Sequence, residues 1–243
     1  MGTSPRRPPL LQVITPLRMP DAPPLATRNL TRVVDGQMLI ADVTIEARAE
    51  EVFVVFGASG SGKTSLLRLL NRLDEPTSGT VFLDGTDYRT IDPRTLRRRV
   101  GWVPQQPTLV AGTVAENVVW GPTLRGEPVD DGRLHELLDR LGLSEFEERA
   151  ADRLSGGEAQ RVAIARTLFN DPDIVLLDEP AASLDAEAAD RVESLLADVM
   201  DAYALTAVLV THDADRARRL GQRGVRLEGG QVVQPGSIED VLE

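Results

Sequence analysis

Lys63 is the only lysine in this chain of 243 residues, and it lies in the segment GASGSGKT at residues 57–64. The segment matches the pattern G-x-x-x-x-G-K-[ST], in which glycines permit a tight turn that points backbone N–H groups at phosphate oxygens. A lysine here supplies a compact positive charge that the planar fork of arginine does not reproduce. The segment therefore predicts a phosphate-binding loop, which requires a strand before it and a helix after it.

Two apolar segments flank the loop in the order that it requires. VFVVF at 52–56 is wholly apolar, as expected of a buried parallel strand, and SLLRLLNRL at 65–73 has leucines at helical spacing. The hydroxyl of Thr64 is an oxygen ligand suited to Mg²⁺. The residues that we expect to contact the phosphates are Gly57, Ala58, Ser59, Gly60, Ser61, Gly62, Lys63, Thr64 and Ser65.

A second motif, IVLLDEP at 174–180, carries two acidic residues at the end of an apolar run. An aspartate in this position of a phosphate-loop protein holds Mg²⁺, which assigns Asp178 to the metal. The neighbouring Glu179 is placed to accept a proton from an attacking water. Two solvated acids at a strand end are the alternative, but the phosphate loop favours the catalytic interpretation.

A third motif, LSGGEAQRVAIARTL at 154–168, places Ser155, Gly156 and Gly157 immediately before a helix with apolar residues. A serine and two glycines at a helix N-terminus form a second phosphate-binding element. One nucleotide uses both elements only if they meet in space or if two chains combine.

The three motifs, in this order, resemble those of the ATP-binding cassette (ABC) ATPases. Kinases and small GTPases share the phosphate loop but lack the LSGGE helix. The resemblance covers roughly residues 25–235. It implies ATP as the nucleotide, with Mg²⁺, and an ATP-hydrolysing activity.

The resemblance also implies roles for individual residues. Gln105, in GWVPQQP, matches the family glutamine that touches Mg²⁺ or the attacking water, and His212, in VLVTHD, matches the histidine that reaches the γ-phosphate. Asp185, in ASLD, is expected at a dimer interface. Glu158, in LSGGE, stands where the family most often has glutamine. We assign it to the second phosphate-binding element. The other histidine, His135, is assigned no chemical role.

One position departs from the family pattern. The aromatic residue on which the adenine stacks is replaced by Val34. If base stacking on an aromatic ring is a fair guide, its loss removes about 1–3 kcal/mol. The prediction for the phosphate site does not depend on this residue.

The expected fold is α/β, of the ABC-type P-loop class, with a mainly parallel sheet, an antiparallel β edge and an inserted helical subdomain at about 106–170. We expect a flexible proline-rich tail at 1–24 and a single domain at 25–243. Predicted elements include strand structure at 42–48 and at 80–88 with a turn at Asp84–Gly85, a helix from Ala186 to Tyr203 and a hairpin at EGGQVV.

Composition excludes several functions. The chain has no cysteine, so it contains neither disulfides nor thiolate metal sites. A net charge of −11 argues against a general nucleic-acid surface, and we interpret Arg97, Arg98 and Arg99 as a solvated helix face. No apolar run has the length of a membrane-spanning helix.

Family resemblance implies partners. Two copies, or one copy and a paralogue, would face head to tail, with each ATP between Lys63 of one subunit and Ser155 of the other. Integral membrane permeases, with a solute-binding protein if the system imports, would place the chain at the cytoplasmic face of the membrane. We expect the permease near residues 106–117, where Leu109, Val110 and Val114 either line a groove, the favoured interpretation, or pack locally.

Two other functions are possible for such a cassette. DNA-maintenance members insert a long coiled coil before the LSGGE motif, and translation factors carry two cassettes; this chain has neither feature. A regulatory cassette without hydrolysis conflicts with the complete set of catalytic residues. The motifs resemble most the small standalone ATPases of phosphate-type importers and metal exporters.

Overall fold

Strands predominate over residues 25–56 and helices over residues 114–169, whereas strands and helices alternate over residues 174–228. The structure is a computed structural model and describes residues 22–243, so most of the predicted tail at 1–24 lies outside the described residues. The strands are β1 (Leu25–Val34), β2 (Gln37–Val43), β3 (Glu46–Ala47), β4 (Val52–Phe56), β5 (Ser78–Leu83), β6 (Thr86–Asp87), β7 (Val100–Val103), β8 (Ile174–Asp178), β9 (Thr206–Thr211), β10 (Arg223–Glu228) and β11 (Gln231–Ser237). The α-helices are α1 (Lys63–Leu70), α2 (Pro93–Arg99), α3 (Val114–Val118), α4 (Trp120–Arg125), α5 (Asp131–Arg140), α6 (Gly156–Phe169), α7 (Ala186–Ala202), α8 (Ala214–Leu220) and α9 (Ile238–Leu242).

The central sheet has six strands in the order β11-β10-β4-β9-β8-β7. All its neighbours pair in parallel except β10 and β11, which form the hairpin predicted at EGGQVV. Successive residues of β4 alternate between two cores: Val54 packs with the helices α5, α6 and α7, and Val55 packs with α1 and the second sheet. Burial on both faces explains why the strand sequence is continuously apolar.

The second sheet is antiparallel and confirms the predicted β edge. Its strands run β2-β1-β5-β6, with β3 also paired to β1. The turn between β5 and β6 is at Asp84–Gly85, as predicted, and both residues have positive φ. The strand structure expected at 42–48 is divided between the end of β2 and β3, because Ile45 bonds to Thr27 between them.

Helices α3 to α6 lie between residues 106 and 170, as the fold class predicts. Capping boxes fix the starts of α3 and α6: the Thr113 and Ser155 hydroxyls accept backbone N–H groups, and Glu116 and Glu158 bond back. His135, on α5, lies 3.3 Å from a carboxylate oxygen of Glu147. Within residues 22–243, no helix is long and apolar enough to cross a membrane.

A buried ion pair joins α7 to α8. The Arg216 side chain donates to Glu193, and both side chains are buried; Arg219 also lies 3.1 Å from Glu193. The carboxylate of Asp213 accepts the backbone N–H of Arg216 and caps the start of α8. Asp213 directly follows His212. The Arg216–Glu193 ion pair therefore fixes the helix that begins beside that histidine.

Removal of the Glu193 carboxylate should therefore destabilise the fold. We expect Glu193→Ala to lower the free energy of unfolding by about 3–5 kcal/mol, since buried Arg216 would keep only the long contact with the Asp213 carboxylate, at 4.0 Å. The control is Glu228→Ala, which removes the more exposed pair with Arg226 and should cost about 0–1 kcal/mol. Urea denaturation measures both; equal losses would contradict this account.

Candidate functional site

The phosphate loop connects β4 to α1, and its glycines are required by close backbone contacts. A Cβ atom at Gly57 would lie 2.4 Å from the carbonyl oxygen of Leu227. Gly62 has φ +105°, and a Cβ there would lie 2.7 Å from the Leu39 carbonyl oxygen. Gly60, with φ +80°, would meet nothing within 4 Å, which leaves open space at the tip of the loop. The loop is thus fixed at its base and accessible at its tip.

Lys63 lies at the base of the loop, with its side chain 5% exposed. Its ammonium group donates to the carbonyl oxygens of Gly57 (2.8 Å) and Ala58 (3.0 Å) and lies 3.3 Å from a carboxylate oxygen of Glu179. The hydroxyl of Ser61, beside it, is buried without a hydrogen-bond partner among the described residues. The loop therefore presents a paired cation and a free polar group around the space where phosphates are expected.

Glu179 connects Lys63 to His212. One carboxylate oxygen of Glu179 faces the lysine, and the other lies 2.8 Å from Nδ1 of His212, whose side chain is 49% exposed. Glu179 has φ +44°, a conformation that is rare for a residue with a long side chain. Its backbone N–H donates to Val210 of the neighbouring strand, which holds this conformation. Backbone strain of this kind is found at functional sites.

Asp178, at the end of β8, lies against the loop. Its carboxylate accepts the Thr64 hydroxyl at 3.0 Å. Burial raises the pKa of Asp178 above its usual value, although the hydrogen bond from Thr64 opposes this shift. A cation would relieve the cost of the buried charge, and the two oxygens suit Mg²⁺.

Mg²⁺ is usually bound by one or two protein carboxylates together with substrate phosphates. Thr64 and Asp178 supply a hydroxyl and a carboxylate oxygen beside the phosphate loop. The residues present thus fit Mg²⁺ bound jointly with a nucleotide.

Parallel strands explain why these residues meet. β4, β9 and β8 are neighbours and run in the same direction, so their carboxyl ends lie at one edge. The loop follows β4, Asp178 ends β8 and His212 follows β9. The backbone N–H of Gly57 donates to the carbonyl of Thr211 and connects the end of β4 to the end of β9. Ligand sites in such sheets lie at this edge.

The LSGGE residues form a separate surface. Ser155 and Glu158 bond to each other in the capping box of α6, and Arg149 pairs with Glu158 at 3.1 Å. A Cβ at Gly156 would lie 3.3 Å from the Leu184 side chain, and Asp185 caps α7. Among the described residues, no hydrogen bond or ion pair joins this surface to the phosphate loop. The structure thus places the predicted nucleotide-binding residues in two groups.

Gln105 is exposed, and the segment around it is attached to α6. The buried Gln160 side chain donates to the carbonyl of Pro104 at 3.1 Å, and Arg166 donates to that of Thr108 at 2.9 Å. The sequence analysis missed both residues. The sequence signal that could have identified Gln160 is its position as a polar residue among apolar neighbours in the LSGGE helix.

The prediction that apolar residues of the segment 106–117 line a groove is wrong for Val114, whose side chain is fully buried. Leu109 packs against the helical core, and the backbone of Val110 bonds to the side chain of Asn117. Val114 and Leu109 therefore pack locally, whereas Val110 is half-buried and its place in a groove stays a prediction. Val34, at the expected adenine position, is 36% exposed at the end of β1, and its contact with a base stays a prediction.

Comparison with known proteins is consistent with this geometry. The family model described as ABC transporter matches residues 40–182. The chain is 41% identical over 214 residues to ABC transporter I family member 17 of Arabidopsis thaliana, covering 87% of this chain and 81% of that protein. It is 41% identical over 213 residues to the methionine import ATP-binding protein MetN of Caulobacter vibrioides, covering 85% of this chain but only 64% of that longer protein.

A solved structure extends the likeness to the fold. The dimeric structure of a post-hydrolysis state of the ATP-binding cassette MJ0796, bound to ADP and Pi, aligns with a TM-score of 0.77 and 31% identity. The alignment covers 88% of this chain and 98% of that chain. The predicted fold class is therefore confirmed.

Loss of the Gln160 anchor should impair turnover more than nucleotide binding. We expect Gln160→Ala to lower the rate of ATP hydrolysis about 10- to 100-fold, since Gln105 would lose its position while the phosphate loop remains intact. Gln106→Ala, at an exposed neighbour, is the control and should behave as wild type. Steady-state hydrolysis and equilibrium nucleotide binding separate the two effects; equal turnover in both variants would refute the anchoring role.

Proposed function

Since the chain belongs to the ABC transporter family, we propose that it is the ATP-binding and ATP-hydrolysing subunit of a transporter whose membrane-spanning parts are separate proteins. The observation that carries this proposal is the contact series at the edge of the central sheet. In this series of contacts, the Glu179 carboxylate lies next to both Lys63 and His212. The Thr64 hydroxyl donates to the Asp178 carboxylate. Each residue has the chemistry that phosphoryl transfer to water requires.

The ligands proposed for Mg²⁺ are Thr64, Asp178 and Gln105. The Thr64 and Asp178 oxygens already lie together, whereas Gln105 is exposed and would complete the site from the neighbouring loop. When bound, Mg²⁺ would neutralise charge on the β- and γ-phosphates.

Glu179 is proposed as the general base. Water attacks the γ-phosphorus in line with the bond to the β-phosphate, that bond breaks, and Glu179 accepts the proton of the water. His212 Nδ1, 2.8 Å from Glu179, would orient the carboxylate and reach the γ-phosphate. The Lys63 ammonium has three donors, so it would exchange at least one of its contacts with Gly57, Ala58 and Glu179 for the phosphates. Exchange of the contact with Glu179 would release the base from its ion pair.

A complete site is proposed to need two chains. Within residues 22–243 of one chain, no hydrogen bond or ion pair joins the LSGGE surface to the phosphate loop, so a second copy or a paralogue would supply its Ser155, Gly156, Gly157 and Glu158. Its helix N-terminus would then stabilise negative charge on the γ-phosphate. Asp185, beside this surface, would lie at the interface. The dimeric form of MJ0796 supports this arrangement.

The membrane partner is proposed to be an integral permease, with the chain bound peripherally at the cytoplasmic face of the membrane. The description of the family and the import function in the name of the Caulobacter relative support a transport role. Substrate and direction would be properties of the permease. The non-transport alternative predicts a soluble partner instead, and mass spectrometry after a pull-down from detergent-solubilised membranes distinguishes the two.

Substitution of the proposed base tests the mechanism. We expect Glu179→Gln to bind ATP, to hydrolyse it about 10²- to 10⁴-fold more slowly, and to accumulate as an ATP-dependent dimer, because the amide cannot accept the proton. Glu145→Gln makes the same change at an exposed position outside the site and should retain activity. Size-exclusion chromatography with and without ATP reports the dimer; a monomeric variant with normal turnover would contradict the assignment.

A further inference from the structure

A buried ion pair close in sequence to His212 takes no part in the proposed chemistry. The pair joins Glu193, in the middle of α7, to Arg216, in the first turn of α8, and the two side chains are 4% and 7% exposed. Charged side chains are almost never buried to this extent unless they are paired. Apolar residues of similar volume often serve stability equally well in such a place. Because stability alone does not require the pair, its contacts indicate which conformation it holds.

Glu193 is held through both of its carboxylate oxygens. One oxygen accepts from Nε of Arg216, and the other lies 3.1 Å from Arg219, which is one turn further along α8. Arg219 in turn lies 3.0 Å from Asp190, on the outer side of α7. Engagement of both oxygens restricts the orientation of the carboxylate. Glu193 can therefore hold the Arg216 guanidinium in one position.

Arg216 contacts Asp213 from its backbone and from its side chain. The backbone N–H donates to one carboxylate oxygen of Asp213 at 3.0 Å, and the guanidinium lies 4.0 Å from the other oxygen. The backbone hydrogen bond is the main cause that lowers the pKa of Asp213 below its usual value, so this carboxylate remains charged at neutral pH. Asp213 is thus held by the residue that Glu193 holds.

The residue before His212 is fixed as well. The backbone N–H of Asp213 donates to the Thr211 hydroxyl at 3.0 Å, and the Thr211 carbonyl accepts the N–H of Gly57, at the start of the phosphate loop. Thr211 is fully buried at the end of β9. His212 therefore lies between two residues whose positions are set by other elements.

The His212 side chain itself has few contacts. It is 49% exposed, and among residues 22–243 only the Glu179 carboxylate makes a hydrogen bond or ion pair with it. Side-chain rotamers depend on the backbone conformation, so the direction of this imidazole depends on the backbone that carries it. A displacement of about 1 Å near the reacting atoms can cost about 10²-fold in rate.

We propose that Glu193 and Arg216 are positioning residues for His212. The pair fixes Asp213 and the start of α8, and it thereby directs the imidazole towards Glu179 and the γ-phosphate. This inference rests on the proposed function, in which His212 contacts both groups. The pair itself touches neither the nucleotide nor the attacking water.

The chain has two histidines, which makes the imidazole of His212 measurable by NMR. In the full chain labelled with ¹⁵N-histidine, each imidazole gives its own set of signals, and His135, on α5, is the internal reference. The variant His135→Gln assigns the two sets by removing one of them. We expect Glu193→Gln to shift or broaden the His212 signals and to leave those of His135 unchanged.

The rate of ATP hydrolysis per bound nucleotide is the second readout, because it counts only folded subunits. We expect Glu193→Gln to lower this rate about tenfold or more, since His212 would lose its alignment. The affinity for ADP should be unchanged, because ADP has no γ-phosphate. The matched control is Asp198→Asn, which removes a carboxylate from an exposed position of α7 and should behave as wild type in both readouts.

A second variant separates positioning from stability. Glu193→Leu/Arg216→Met replaces both buried charges by apolar side chains and should fold about as stably as the wild type. It keeps the backbone N–H that caps α8 but lacks the directional hydrogen bonds of the pair. We expect its rate of hydrolysis to stay about tenfold lower and its His212 signals to stay displaced.

Four results would overturn the positioning role. They are a wild-type rate in Glu193→Gln, a wild-type rate in the apolar double variant, slow hydrolysis with unchanged His212 signals, and an equal loss of rate in Asp198→Asn. Absence of ATP hydrolysis in the wild-type protein would refute the proposed function instead, and the NMR signals would still report whether the pair orients His212.

Discussion

The buried ammonium group of Lys63 is the charge on which the site depends. At 5% exposure it must be compensated within the protein, and the loop carbonyls and Glu179 provide that compensation. The same contacts hold the proposed base against the loop and, through it, His212. A triphosphate would compete for the lysine, so nucleotide binding and release of the base are linked by one electrostatic exchange.

The sheet supplies the second constraint. Because three parallel strands end at one edge, the loop, the acids and the histidine meet without any one of them being close in sequence. The LSGGE surface is held elsewhere by its own capping box and by its contact with Leu184. A single chain thus holds the predicted nucleotide-binding residues in two groups, and the proposed dimer would join them into complete sites. The hydrogen bonds from Gln160 and Arg166 attach the segment around Gln105 to the LSGGE helix, so movement of that helix would shift Gln105.

The sequence predicted the parts of the fold that depend on local pattern. The strands β4 and β8 and the helix α7 were predicted because long apolar runs and helical spacing are strong local signals. The division of residues 42–48 was missed because half-exposed edge strands have weak alternation. Val114 was placed on a surface although it is buried at the start of α3, since a single apolar residue does not reveal what packs on it. The contact of Gln160 with Pro104 joins residues distant in sequence, which a pattern within one segment cannot show.

The most direct test of the account is complementation between two inactive subunits. Lys63→Ala destroys the phosphate loop, and Ser155→Arg blocks the LSGGE surface. If each site combines the two halves from different chains, mixed dimers contain one intact site. Equal mixtures should then recover roughly a quarter of wild-type ATP hydrolysis, as random pairing of a two-fold dimer predicts. If both variants alone are inactive and the mixture is inactive as well, the proposal of a site shared between chains is contradicted.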